Sequence, residues 1–213
     1  IRKIEINSPL NIEPDWPARR SQVYPKSISP LIIPKFDTAR ETPALVAGSL
    51  SACELSWGFE ESWKPGVVFN SRIESAAKPT WRESMEHRRC LIAVSAFFET
   101  HPEETYPSPK TGKPLKRQYE FRVPGQNIVL IGCIWKDGNF SMVTTEANAD
   151  MSPIHHRMPL IMQQDELPLW FGSDYQKLAD RSSVRLDAQP VCHILPPDTT
   201  EPCARKATQL ELL

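Results

Sequence analysis

The sequence predicts an α+β domain dominated by short strands, and three observations carry that expectation. Its 213 residues are enough to bury one full core. Twenty-one prolines against 8 glycines require short elements interrupted by loops. Apolar residues fall mostly in short runs or alternations, and only residues 78–88, 163–171 and 174–181 carry helical signals.

The elements follow in chain order. Residues 1–35 contain Pro9, Pro14, Pro17, Pro25, Pro30 and Pro34, which favour extended segments and turns, with Leu31–Ile33 as a buried strand. Residues 44–51 suit a strand or a short helix, and Leu55–Phe59 a strand bearing the Trp57/Phe59 pair. A polar loop, Glu60–Gly66, carries Trp63. It leads into Val68–Glu74, where extended alternation places Asn70, Arg72 and Glu74 on one face.

Lys78–Arg88 reads as a helix with Pro79 in its first turn, Trp81 and Met85 inward, and Arg88 and Arg89 at its C-terminus. Cys90–Val94 is a buried strand that continues to Thr100 and brings Glu99 to the end of an apolar run. Residues 101–116 read as a surface hairpin or flexible loop, followed by strands at 118–123, 127–135 and 140–145, the last two joined by Lys-Asp-Gly. Ser152–Pro159 is a proline-bounded polar cluster holding His155, His156 and Arg157. Two short helices follow, with an N-cap at the Ser173-Asp174 step, then a closing strand at 189–194 and a weakly ordered tail over 196–213.

Several function classes are excluded at this level. A formal charge of −1 gives no global case for nucleic acid, so any such site must be a local patch. No apolar run approaches the ~20 residues that span a bilayer and no signal pattern is visible, which points to a cytoplasmic protein. The five cysteines are odd in number, widely spaced and without C-x-x-C, against disulfides or structural zinc. His155 and His156 diverge on an extended chain and have no carboxylate at ligand spacing, so no metal site is expected. Cys90 opens an apolar strand and reads as core.

Three polar groups remain: Asn70/Arg72/Glu74, Glu99, and His155/Arg157. An exposed strand face with an ordinary Arg–Glu pair accounts for the first, and packed structural roles account for the others taken singly. Together, a histidine titrating near neutrality and a glutamate whose burial should raise its pKa could form an acid–base pair.

The order of motifs is more specific. A Trp57-Gly58-Phe59 strand, then Asn70-x-Arg72-x-Glu74, a helix ending in Arg89-Cys90-Leu91-Ile92, Phe97-Phe98-Glu99, and Ile154-His155-x-Arg157-x-Pro159 resembles the SOS response-associated peptidase family, the abasic-site-processing proteins. That resemblance runs from about Arg20 to Leu169. It implies a single domain of antiparallel strands in a curled, barrel-like sheet with peripheral helices.

It also implies a chemistry. An N-terminal Cys, upstream of Ile1 and exposed by autoproteolytic removal of Met, would form a thiazolidine crosslink with an abasic site in single-stranded DNA. Asn70, Glu99 and His155 would be catalytic. Arg72, Arg157, Arg20 and Trp57 or Trp63 would bind DNA, and Glu74 and Pro159 would support them, Glu74 by holding Arg72. No cofactor or metal is implied, and the expected state is a cytoplasmic monomer, nucleoid-associated when DNA-bound. The Glu60-Glu61 pair should weaken phosphate binding by its loop. The alternative is a divergent module of the same fold that binds single-stranded DNA or a peptide without covalent chemistry.

Overall fold

The computed structural model describes residues 3–6, 21–37 and 44–191. Arg20, Cys192, Cys203 and the tail over 196–213 lie outside them. The strands are β1 (Lys3–Ile6), β2 (Ser21–Val23), β3 (Ile28–Asp37), β4 (Ala44–Trp57), β5 (Phe59–Glu60), β6 (Val67–Val68), β7 (Asn70–Arg72), β8 (Arg89–Val94) and β9 (Ala96–Pro107). They continue as β10 (Pro114–Arg122), β11 (Val129–Lys136), β12 (Asn139–Glu146), β13 (Arg157–Pro159), β14 (Ile161–Met162) and β15 (Asp187–Pro190), with helices α1 (Pro79–His87) and α2 (Leu167–Phe171).

The larger sheet has the order β13-β12-β4-β3-β8-β11-β14, and β12 also pairs with β7 and β11, so the sheet is strongly curled. A second sheet has the order β15-β10-β9-β1-β2. The apolar runs of β8 and β11 follow from burial on both faces. One face joins Cys90, Ile92, Cys133 and Met142 to Phe97 and Phe121, whose rings stack at 5.0 Å. The opposite face presents Leu91, Ile134 and Val143 to Trp81, Met85, Trp170 and Tyr175. Helix α1 begins as expected, with Pro at its first turn and Trp81, Ser84 and Met85 inward.

The ambiguous residues 44–51 are strand and continue without interruption through Trp57. Gly58 ends β4 at φ 121°, and a Cβ there would sit 2.5 Å from Val67 Cγ2, so the corner requires glycine twice over. Between β11 and β12, Asp137 and Gly138 both have positive φ, the condition of a tight hairpin turn whose twist suits the strands.

Residues 101–116 form the outer part of a β9–β10 hairpin. The expected second helix is a 3-10 turn over Tyr175–Ala179, and Asp174 makes no capping bond because its carboxylate pairs with Lys177. The closing strand sits earlier than expected, at Asp187–Pro190 along β10.

Candidate active site

The Asn70 strand is placed by a tryptophan. Trp57, stacked on Phe140, donates its Nε1–H to the Phe69 carbonyl at 2.8 Å, which fixes the backbone entering β7. Strand β7 then pairs in parallel with β12, Asn70 opposite Met142 and Arg72 opposite Thr144. Ser71 is buried, Asn70 half-buried and Arg72 exposed, as the alternation requires, but the strand ends at Arg72 and the exposed Glu74 stands on a 3-10 turn over Ile73–Ser75 instead of the expected extended face. On the far side of β12, Thr144 faces buried Pro159 and Glu146 faces Arg157. One strand thus sets Arg72 and the histidine cluster side by side.

The loop into that cluster is built on Asn148. Its Oδ1 accepts the N–H groups of Asp150 and Met151, and its Nδ2 donates to the carbonyls of Val184 and Arg181. The following turn ends with the His155 N–H on the Met151 carbonyl at 3.0 Å. His155 Nδ1 lies 3.1 Å from both the N–H and the carbonyl of Arg157. A neutral ring can accept the former and keep its proton on Nε2; a protonated ring can donate to the latter. Either charge state therefore has a backbone partner.

Glu74 holds Arg157, not Arg72 as the sequence suggested. Arg157 Nη1 and Nη2 donate to the two Glu74 carboxylate oxygens at 3.0 and 2.7 Å, and Nη2 also donates to the Thr144 carbonyl at 2.9 Å. This fork matches a carboxylate bidentately, and the 3-10 turn over Ile73–Ser75 takes Glu74 off the strand that carries Arg72. Burial pushes the Glu74 carboxyl up, but the Arg157 hydrogen bond and charge hold it below its ordinary value. Arg72 has no ion-pair partner among the described residues and is the exposed guanidinium of the site.

Glu99 stands on β9, 7% exposed, its Oε1 accepting the Thr100 N–H at 3.0 Å. Burial pushes its pKa up, while the Thr100 N–H and the charge of the His155 ring favour the ionised form. The burial that should raise this pKa is thus opposed by a donated N–H and a neighbouring imidazole. Strand β1 lies beside it, with Ile4 opposite Phe97 and Lys3 opposite Phe98; Glu99 is the next rung of β9. His156 stacks on His155 at 4.5 Å, and its pKa is lowered by desolvation and by His155, Arg72 and Arg157, with Glu99 opposing. Glu99, His155, His156, Arg72 and Arg157 thus form one electrostatic neighbourhood.

A carboxylate, an imidazole with a backbone partner in either charge state, and an exposed guanidinium can move a proton beside a bound anion. The family model for SOS response associated peptidase (SRAP) matches residues 9–194. The chain belongs to the SRAP family.

Among curated proteins, this SRAP chain is 26% identical over 134 residues to the abasic site processing protein YoqW of Bacillus subtilis, covering 56% of each. It is 28% identical over 133 residues to YoaM of the same organism, covering 56% of each. To YedK of Escherichia coli it is 27% identical over 132 residues, 55% of this chain and 54% of YedK. The chain spans about half the length of the curated relatives it matches. Two solved structures from Bordetella bronchiseptica share the fold: a phage-related protein with TM-score 0.62 and 15% identity, covering 90% of this chain and 94% of the other, and a second protein with TM-score 0.63 and 16% identity, covering 90% and 100%.

The remaining candidates separate cleanly in this SRAP chain. Trp57 is fully buried and cannot stack on bases; its indole holds β7 instead. Trp63 is 59% exposed, on a loop whose Glu60, Glu61, Ser62 and Gly66 wall a cavity of ≈ 410 Å³ with Lys26 and Val67. The acidic pair there is half neutralised, since Glu61 accepts from Lys136 Nζ at 2.5 Å. Burial pushes the Cys90 and Cys133 thiols up, as suits core residues. No group of three or more potential metal ligands occurs among the described residues. Asn148 and Thr144 were missed from sequence; an Asn-x-Asp step was the available signal for the first, and nothing local marks the second.

Proposed function

We propose that this SRAP chain processes abasic sites in single-stranded DNA by forming a thiazolidine crosslink through an N-terminal Cys that precedes Ile1. The carrying observation is the register of β1 along β9, which sets Lys3 opposite Phe98, one residue along β9 from Glu99 in the neighbourhood of His155, His156 and Arg72. The names of the curated relatives support the substrate class.

The chemistry balances with the groups at hand. Water hydrolyses the Met–Cys bond and frees an α-amine of pKa ~8. That amine adds to the ring-opened aldehyde carbon and one water leaves as the imine forms; the Cys sulfur then adds to the same carbon, its proton passing to nitrogen. Crosslinking therefore loses one water overall. Glu99 accepts the proton that the amine nitrogen sheds as it adds to the aldehyde carbon, and His155 donates to the departing oxygen and assists sugar-ring opening. Asn70 orients the N-terminal Cys, Arg72 holds a phosphate flanking the lesion, and Trp63 stacks on a neighbouring base. Arg157, its fork occupied by Glu74, holds the His155 ring through its own backbone and adds positive charge.

Incubation of the natural-length protein with abasic single-stranded DNA, followed by a denaturing gel, tests the reading. A covalent band that requires the N-terminal Cys is expected. Native binding without any covalent band would replace this reading with a non-covalent single-stranded DNA module.

A further inference from the structure

The outer β9–β10 hairpin is built as an arm set off from the sheet. Gln118 pairs with Thr100 and Lys116 with Thr105, so residues 101–104 oppose Arg117 alone and the ladder breaks. The break is closed from within: His101 Nδ1 accepts the N–H groups of Glu103 and Glu104, and Lys116 Nζ bonds the Pro102 carbonyl. Beyond it the ladder resumes at Lys116–Thr105 and ends at Pro114–Pro107. The Gly112 N–H on the Ser108 carbonyl and the Ser108 N–H on the Lys113 carbonyl, both 2.8 Å, order the tip.

Charge on this arm is sorted. Glu104 is consumed by Arg117 at 3.0 Å and by the Tyr119 hydroxyl at 2.6 Å, and Arg117 also lies over the Tyr106 ring. Lys110 and Lys113 at the tip are exposed and have no ion-pair partner among the described residues. On a chain of net charge −1, this is a local cationic patch on a rigid support. It is rooted on the active-site strand, since Tyr119 of β10 faces Glu99. Pro114 is five residues along β10 from Tyr119, about 17 Å.

The geometry points to the β9–β10 arm as a second DNA contact, Lys110 and Lys113 gripping backbone phosphates several nucleotides from the lesion held at Glu99. This rests on the DNA reading above and extends it from the lesion to the flanking strand. Lysine tips on a two-stranded ribbon bind phosphate as point charges, without reading sequence.

The test is a salt titration of binding to undamaged single-stranded DNA by anisotropy, which does not depend on crosslinking. It uses the natural-length protein and its Lys110→Gln/Lys113→Gln variant, in which both replaced side chains are solvent-exposed. On an oligonucleotide of about 24 residues, the variant should show a log K against log salt slope shallower by about 1.4 and bind roughly tenfold more weakly at low salt. On an oligonucleotide of about 5 residues, too short to reach the tip, the two proteins should bind alike. Equal slopes on the long strand would overturn the arm contact and leave the abasic-site reading intact. A slope difference without any covalent product on abasic DNA would keep the arm and remove the crosslinking chemistry. No DNA binding by either protein would overturn both.

Discussion

At the residue scale, the behaviour of the site rests on two carboxylates whose environments favour the charged form. Glu99 is buried but accepts the Thr100 N–H and lies near His155, and Glu74 is clasped by Arg157. Replacing Glu99 with Gln should slow crosslinking about a hundredfold with little change in melting temperature, measured by timed quench on abasic DNA; unchanged kinetics would remove Glu99 from the chemistry. Glu74 has a folded pKa below the ordinary value of 4.5. Its contribution to stability is therefore present above pH ~4.5 and is lost as pH falls toward the folded value. Glu74→Gln should flatten that acid limb and cost no more than about 1 kcal/mol near neutrality, because the pair is partly solvent-exposed and Gln keeps one acceptor oxygen for Arg157. Urea unfolding at a series of pH values reads both effects.

At the element scale, two tight structures carry the site. Gly58→Ala would place a Cβ against Val67 at a φ unfavourable for L-residues, and should destabilise the fold by about 3 kcal/mol in thermal or urea unfolding. Trp57→Phe removes the donor to Phe69 from a buried site and should cost about 1–3 kcal/mol while lowering crosslinking through a displaced Asn70. These elements also show what the sequence could carry. Apolar runs such as Cys90–Val94, the Pro79 start of α1 and the Asp-Gly turn were legible because each is fixed by local periodicity or local φ. The alternation at Asn70 and Arg72 was legible for the same reason, whereas the 3-10 turn that carries Glu74 was not. The exchange of partners was not, because Arg157 meets Glu74 only through the pairing of β12 with both β7 and β13, more than eighty residues apart in sequence. Trp57 looked available for stacking because an aromatic on an alternating strand does not declare which face is covered.

At the scale of the whole molecule, two sheets divide the work. The curled sheet positions Asn70, Arg72 and the histidine loop through β12, while the second brings Glu99, the leading strand β1 and the cationic arm together on β9 and β10. The proposed chemistry draws on residues of both sheets, so no single segment of sequence contains it. The most direct test is mass spectrometry of natural-length protein after reaction with abasic single-stranded DNA and digestion of both polymers. The account predicts an N-terminal Cys peptide carrying the abasic sugar remnant at the summed mass less one water. An unmodified N-terminal peptide, or the remnant on a lysine, would contradict it.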